Sequence, residues 1–127
     1  MKKIQYEYSD TPIEKESIKL QKNSLVAELK IFTGIDHGHW VVICPSVNVS
    51  GYGDTLEEAK ESFNENMETF SEDLFKLDTH NRIKYIKSLG WKQDKIFNKR
   101  YSNAFIDTDG ILQNLEKPKQ SSLVASY

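Results

Sequence analysis

The sequence predicts an α+β domain in which an antiparallel sheet of three to four strands packs on one long helix. The predicted order is β-β-β-α-β, with an extra short helix and strand. Three strand-like segments lie between residues 24 and 53, an amphipathic helical pattern covers 54–77, and another strand pattern follows Gly90. The chain has 127 residues, 38% apolar and 28% charged, which is typical of a single globular domain, here 1–127.

Three consecutive segments predict a β-meander. Apolar and polar residues alternate over 25–32, as in a strand that is covered on one side. Residues 39–44 are β-branched and aromatic and predict a buried strand, joined to the first as a hairpin by turn residues in 34–38. The third strand alternates valine with polar residues and ends at Gly51 and Gly53, where glycine accommodates the turn into a helix.

The segment 54–77 has the clearest helical pattern. Asp54 and Thr55 are both suitable N-caps, and each is followed three residues later by a glutamate, which is the capping-box arrangement. Glutamates fill one side of the predicted helix, and several lie in the first turns, where the helix dipole favours negative charge. Apolar residues at steps of three or four form the opposite stripe, which comprises Leu56, Ala59, Phe63, Met67, Phe70, Leu74 and Leu77.

The regions on either side are less regular. Alternation over 4–8 predicts a short strand with one buried face. Residues 13–20 contain only three apolar side chains, at spacings that fit no helix face well, so we expect an irregular connector there. A polar surface helix with Pro12 in its first turn is the alternative.

The C-terminal region predicts a basic helix over 81–89, ended by Gly90 as the C′ residue. A strand is expected over 91–101 and a short one over 104–106. From residue 116 onwards the chain is rich in lysine, serine and glutamine, so we expect a flexible tail over 116–127.

The near-neutral total charge conceals two opposite segments. The net charge of the whole chain is −2, which excludes a uniformly polybasic nucleic-acid binder. Residues 54–75 contain eight acidic residues and one basic residue, a net −7, whereas 76–101 contain eight basic and two acidic residues, a net +6. A partner would therefore meet one acidic and one basic surface.

Compartment and redox chemistry are also constrained. No apolar run approaches the roughly 18 residues that span a bilayer, and the N-terminus lacks the apolar core of a signal peptide, so we expect a cytoplasmic protein. Cys44 is the only cysteine, which excludes an internal disulfide and a multi-cysteine zinc site.

Residues 49–59, Val-Ser-Gly-Tyr-Gly-Asp-Thr-Leu-Glu-Glu-Ala, carry a specific signature at the start of the long helix. This segment resembles the HicB-type antitoxin domain of bacterial toxin–antitoxin pairs, in which a short strand enters a Gly-Asp-Thr-x-Glu-Glu-Ala turn that caps the main helix. The preceding apolar strand, which closes on Pro45, is also similar to that family. The resemblance covers residues 24–77. Together with the predicted helix and strand that follow it, this segment makes up a HicB-like core with an extension, over 24–101.

The resemblance implies a binding module rather than an enzyme. HicB-type domains form oligomers and neutralise a small HicA-type ribonuclease by covering its active site. The chain is therefore expected to be a homo-oligomeric antitoxin-type or regulatory protein that sequesters a HicA-type toxin or a similar small protein. It departs from the family at 46–49, where an acidic-Leu-Pro-Gly stretch is usual, and 80–127 lacks the paired helices of a DNA reader. An orphan HicB-fold protein without a toxin is the alternative.

An acidic surface suits a basic ribonuclease, so we expect the partner to bind at the start of the long helix and along its acidic face. The residues of this predicted surface are Tyr52, Asp54, Glu57, Glu58, Glu61, Glu65 and Glu68. We assign no catalytic residue, no metal ligand and no cofactor.

The basic segment 76–101 allows a second interpretation, a nucleic-acid-associated protein. Its cations lie among aromatic side chains, a combination that binds phosphates and stacks on bases. A solvated helix face with a lysine-protected edge strand explains the same charges, as does contact with the acidic helix of another subunit. The residues of this alternative are Arg82, Lys84, Lys87, Lys92, Lys95, Lys99 and Arg100.

Catalytic and metal-binding interpretations are weaker than structural ones. His37 and His39 are spaced to chelate a metal from one face of a strand, but a third ligand is required, and a hairpin turn explains both. Cys44 lies in an apolar strand and is expected to be a buried small hydrophobe rather than a nucleophile. Glu28 is the only acid in its strand, so the clustered carboxylates of a metal-dependent nuclease are missing.

Overall fold

A computed structural model describes residues 4–93, 97–99 and 116–127. This part of the chain contains two helices and one antiparallel sheet of eight strands, so the α+β class is confirmed, whereas the predicted count of three to four strands is wrong. The strands are β1 (Gln5–Ser9), β2 (Glu16–Leu20), β3 (Leu25–Asp36), β4 (His39–Cys44), β5 (Val49–Gly53), β6 (Lys92–Gln93), β7 (Phe97–Lys99) and β8 (Glu116–Ser126). The helices are α1 (Leu56–Lys76) and α2 (Thr79–Ser88).

The long strand β3 organises the sheet. One edge of β3 pairs with β8, and β1 pairs with the far edge of β8. The other edge of β3 is shared, because β2 pairs with its first half and β4 with its second half. Beyond these, β5 extends the sheet from β4, and β7 and then β6 extend it from β2. The predicted hairpin and meander over β3, β4 and β5 are confirmed.

The prediction of an irregular connector over 13–20 is wrong, because β2 occupies its second half. Ile18 is 1% exposed and Glu16 is 0% exposed, and the sheet register places both on the face that carries the core of β3. An acidic residue at a buried strand position interrupts the apolar alternation, which is why the period-two pattern is not visible in the sequence.

The prediction of a flexible tail over 116–127 is also wrong. The strand β8 lies between β1 and β3 and pairs with both. Leu123 and Ala125 are 0% exposed, and Ser121 and Ser122 are also buried. A strand with neighbours on both edges satisfies its backbone hydrogen bonds in the sheet, so it can occupy the interior with few apolar side chains of its own.

Helix α1 covers one face of the sheet. Its stripe enters the core at Ala59, Phe63, Met67 and Leu74, each at most 1% exposed, while Leu77 follows the last helical turn and is 36% exposed. The sheet residues against this stripe come from several strands and include Ile18, Leu25, Ala27, Leu29, Ile31, Val42, Cys44, Val49, Leu123 and Ala125.

The start of α1 and the end of α2 carry the predicted signals. Thr55 is the N-cap of α1 and accepts a hydrogen bond from the Glu58 N–H (3.1 Å), while the Glu58 carboxylate accepts from the Asp54 N–H (3.1 Å). Asp78 caps α2, which begins at Thr79, two residues before the predicted start, and this cap was not predicted. Gly90 follows α2 with a φ of 97°, as expected for a C′ residue.

Within the segment predicted as one strand over 91–101, the described residues contain two short strands. β6 and β7 pair with each other, and β7 also pairs with β2. Trp91, just before β6, is 2% exposed and belongs to the core. Ile96, which the prediction placed near the strand centre, and the short strand over 104–106 lie outside the described residues.

Candidate functional site

The turn that resembles the HicB signature lies where β5 passes directly under α1. A Cβ atom on Gly51 would lie 2.5 Å from the Ala59 carbonyl oxygen and closer still to the Phe63 backbone nitrogen. A Cβ on Gly53 would lie 2.5 Å from the Ala59 nitrogen. Both glycines are therefore required by the close approach of the helix backbone to the strand, a stronger demand than the turn geometry inferred from the sequence.

Helix α1 also closes the outer edge of β5. The Tyr52 N–H donates to Ser62 Oγ (3.3 Å), and the Asn66 side-chain amide donates to the Ser50 carbonyl (2.7 Å). Because Ser62 and Asn66 lie one turn apart on α1, the helix provides a partner for each of these strand groups. The Tyr52 side chain projects from this joint and is 60% exposed.

The remaining predicted residues of the helix start are all exposed. Asp54 Oδ1 lies 3.1 Å from His39 Nδ1, which links the turn to the beginning of β4. The Glu58 carboxylate is engaged in capping through the Asp54 N–H, whereas the Glu57 carboxylate has no hydrogen bond or ion pair among the described residues. Of the acids in the turn, Glu57 is thus the one most available to a partner.

The predicted acidic face lies on the side of α1 away from the sheet. Glu61 and Glu65 are exposed and Glu68 is partly buried. Their spacing of three and four residues places them on one side of the helix, and Glu57 and Glu72 continue the row. Within the described part of the chain, no lysine, arginine or histidine nitrogen comes within 4.0 Å of these carboxylates. We call this row, Glu57, Glu61, Glu65, Glu68 and Glu72, the glutamate row.

Two tyrosines of β1 attach that strand to the flank of α1, and sequence reasoning did not identify them as part of the site. The Tyr6 hydroxyl donates to the Asn64 carbonyl (2.7 Å), and the Tyr8 hydroxyl donates to the Asn64 side-chain oxygen. Burial, followed by the charge of Glu68, raises the pKa of the Tyr6 phenol, and burial raises the pKa of Tyr8 to about 12. The alternation of tyrosine with polar residues in 5–9 was the available signal.

Only some residues of the predicted nucleic-acid surface are free to contact a nucleic acid. Arg82 donates to the carbonyls of Lys22 (2.6 Å) and Phe75 (3.1 Å), and its guanidinium stacks 4.5 Å from the Phe75 ring centre, so it joins α2 to the end of α1. Lys84 and Lys87 are exposed on α2. Lys92 and Lys99 lie in β6 and β7, and Lys95 and Arg100 lie outside the described residues.

The two histidines of the β3–β4 hairpin each pair with a different carboxylate. His37 Nδ1 lies 2.6 Å from Asp36 Oδ1, and His39 pairs with Asp54. His37 and Gly38 have φ values of 51° and 82° and form the two-residue β3–β4 loop, as in a type I′ hairpin. In the described part of the chain, no three histidine, cysteine or acidic side chains are placed to hold a metal ion. Cys44 is 0% exposed.

A buried carboxylate that the sequence did not reveal lies in the gap between β2 and β4. Glu16 accepts a hydrogen bond from the Lys30 N–H (2.9 Å), and the Ser46 hydroxyl lies 2.5 Å from both of its oxygens. The Trp91 indole N–H donates to the Ser46 carbonyl (3.1 Å). The Glu16 carboxylate therefore bonds to β3 at Lys30, between the part of β3 that pairs with β2 and the part that pairs with β4. The carboxylate is completely buried, so a substrate could not contact it.

Comparison of the chain with protein-family models, curated proteins and solved structures finds no match. Neither helix in the described part of the chain is both long and apolar enough to span a membrane. The surface features that a partner would meet are thus defined by the chain itself: the glutamate row, the exposed ring of Tyr52 and the exposed lysines of α2.

Proposed function

We propose that this protein is a non-catalytic, HicB-like binding protein that sequesters a small basic protein, a HicA-type toxin or an analogous partner. The observation that carries the proposal is the glutamate row. Glu61 and Glu65 are exposed and lack a cation among the described residues, and they are displayed on a capped 21-residue helix. Like charges at i, i+4 destabilise a helix slightly, so a basic partner would relieve an existing repulsion.

The joint between β5 and α1 supports the same proposal. Gly51 and Gly53 let the helix backbone contact the strand, and Ser62 and Asn66 fix the strand edge to the helix. The glutamate row is therefore presented by a preorganised element, which lowers the entropy lost on binding. The order β3, β4, β5, α1 is compatible with the family order that the turn resembles.

Charge reversal tests the proposal. In the triple variant Glu61→Lys, Glu65→Lys, Glu68→Lys, we expect at least a tenfold loss of affinity for a small basic protein encoded beside this gene, measured by co-purification and titration calorimetry. The circular dichroism spectrum should be unchanged because all three carboxylates lie on the side of α1 away from the core. Unchanged affinity would overturn the proposal.

A matched variant separates the position of the charges from the total charge. Glu14, Glu28 and Glu116 are exposed and lie outside α1, so reversing these three alters the net charge by the same amount. We expect this control to retain affinity within about threefold, because charges beyond a Debye length of about 8 Å are largely screened at physiological salt. A loss equal to that of the first variant would indicate nonspecific attraction.

Nucleic-acid binding remains the alternative, with Lys84 and Lys87 as its exposed residues on α2. Gel shifts at 50 and 200 mM salt test it directly, because phosphate contacts weaken steeply as salt rises. A salt-sensitive shift that disappears in the variant Lys84→Glu, Lys87→Glu would favour this alternative over protein capture.

A further inference from the structure

Among the described residues, no strand pairs with the outer edge of β1, which we call the open edge. β1 pairs with β8 along Gln5–Ser9, and in an antiparallel pair every second residue turns its N–H and C=O away from the neighbour. Among the described residues, no backbone or side-chain group makes a hydrogen bond to these outward-facing groups of β1. An exposed row of unpaired donors and acceptors is the template on which another strand adds.

The opposite end of the sheet shows what a closed edge looks like in this molecule. There Ser62 and Asn66 of α1 bond to the outward groups of Tyr52 and Ser50. On the β1 side, Asn64 of the same helix bonds to the hydroxyls of Tyr6 and Tyr8 instead of the strand backbone. The helix therefore seals the edge of β5 but only anchors β1 through its side chains.

The charges around β1 select what can pair with it. Glu7 is the middle residue of β1 and is exposed. Glu68 of the glutamate row is close enough to Tyr6 for its charge to raise the pKa of the phenol. A second copy pairing antiparallel about the strand centre would place Glu7 opposite Glu7, which is destabilising. A strand carrying lysine or arginine would meet Glu7 on one face and Glu68 on the other. On that second face, Lys60 beside Tyr8 is a like charge.

We propose that β1 binds an extended, basic segment of the partner protein as an additional strand. This inference rests on the proposed function and deepens it, because it states where the partner docks and in which conformation. Backbone hydrogen bonds to β1 would hold the segment, and its alternate side chains would pass beside Tyr6 and Tyr8 towards the glutamate row. Lys60, whose Nζ lies 5.0 Å from the Tyr8 ring centre, already shows a cation stacked on this surface.

Peptide probes test strand addition separately from charge. The probe is a fluorescent ten-residue peptide in which pairs of lysines alternate with pairs of valines, so that an added strand presents lysine on both of its faces. The control is the same peptide N-methylated at alternate residues, which retains its charge but lacks half of its donors. We expect N-methylation to weaken binding at least tenfold in fluorescence anisotropy. We also expect the outward amides of β1 to exchange with solvent at least tenfold more slowly in the presence of the unmodified peptide.

A protein variant supplies the complementary measurement. Glu7→Lys should weaken binding of the lysine–valine peptide at least fivefold, because it reverses the charge on one of the two faces that the lysines of the peptide meet. Glu116→Lys is the control, because this exposed residue pairs with Ile35 at the end of β8 remote from the β1 pairing, and it should leave the affinity unchanged.

The outcomes distinguish this inference from the proposed function. Equal binding of the methylated and unmodified peptides, or protection of β1 by a second copy of the chain, would overturn strand addition. The second outcome combines two results: the triple variant Glu61→Lys, Glu65→Lys, Glu68→Lys no longer binds the basic partner, and the β1 amides of the parent protein are not protected by the peptide. This outcome would overturn strand addition while leaving the proposed function intact. Retained capture of the basic partner in that variant would overturn the proposed function, whatever the peptide result.

Discussion

Gly51 shows how one missing side chain determines the distance between two elements. Its position would place a Cβ 2.7 Å from Phe63 Cα and 2.5 Å from the Ala59 oxygen. Those are backbone atoms of α1, so no rotamer change could relieve the overlap. An alanine there would force the whole helix away from β5, with the loss of packing that separation entails.

Substitution of this glycine should be costly. We expect Gly51→Ala to lower the free energy of unfolding by about 3 kcal/mol, the upper part of the range for overpacking a core. Urea denaturation followed by circular dichroism measures this difference. Gly38→Ala is the control, because a Cβ on Gly38 meets nothing within 4 Å, and its φ of +82° is the only source of strain.

For Gly38→Ala we expect a loss of about 1 kcal/mol, from the left-handed backbone conformation alone. A loss in Gly51→Ala no larger than in this control would show that the helix does not lie as close to β5 as described. The sequence allows the prediction that Gly51 matters, but the reason requires the position of α1, which no local pattern contains.

At the scale of elements, β8 tests the architecture most directly. Substitutions in a flexible tail would leave the free energy of unfolding unchanged, whereas substitutions in an interior strand would lower it. Leu123 faces the core and is 0% exposed, whereas its neighbour Val124 points to the other face and is partly buried. We expect Leu123→Ala to cost about 3 kcal/mol of unfolding free energy. Val124→Ala should cost at most about 1.5 kcal/mol.

Thermal and urea unfolding of the two variants measure this contrast between adjacent residues. Equal and small losses would show that 116–126 contributes little to the fold. If both variants lost several kcal/mol, the strand would be buried on both faces, contrary to the described exposure of Val124.

The elements differ in whether neighbouring residues or distant parts of the chain determine their structure. The helix α1 was predicted within a few residues, because caps such as Thr55 and an apolar stripe are encoded by neighbours in the sequence. Strands β2 and β8 were not predicted, because Glu16, Ser121 and Ser122 are buried through partners that lie far away in the chain. Strand identity depends on such pairing more than helix identity does.

At the scale of the whole molecule, alkaline stability reports the attachment of β1 to α1. Tyr8 has its pKa raised to about 12, and that of Tyr6 is raised as well. The unfolded phenols lose their protons near pH 10, before the folded ones, so the stabilisation is fully present below pH 10 and is lost as the pH rises towards 12. We therefore expect the urea midpoint to fall between pH 10 and 12.

The double variant Tyr6→Phe, Tyr8→Phe isolates these two groups, since the chain contains four other tyrosines. It should show a shallower fall over the same interval, with absorbance at 295 nm following phenolate formation in each protein. An identical pH profile for the variant and the parent would contradict the assignment to Tyr6 and Tyr8.

The candidate site was predictable in its charge but not in its extent. The glutamates of α1 and their common face follow from helical spacing in the sequence. The open edge of β1 beside them depends on β8 separating β1 from β3, which joins segments from opposite ends of the chain. Arg82 is a residue for which the charge was misleading. Its charge suggests contact with a nucleic acid, but its guanidinium donates to the carbonyls of Lys22 and Phe75 of the same chain.

The position of β8 also has a kinetic consequence. Its register joins Tyr6 to Ala125 and Leu29 to Leu123, so the centre of the sheet forms only when very distant parts of the chain meet. The entropy of closing such loops must be lost before the pairing is gained, which places folding times on the order of milliseconds to seconds. Until β8 inserts, β1 and β3 each expose an unpaired edge to neighbouring chains, and self-association during refolding should rise with protein concentration.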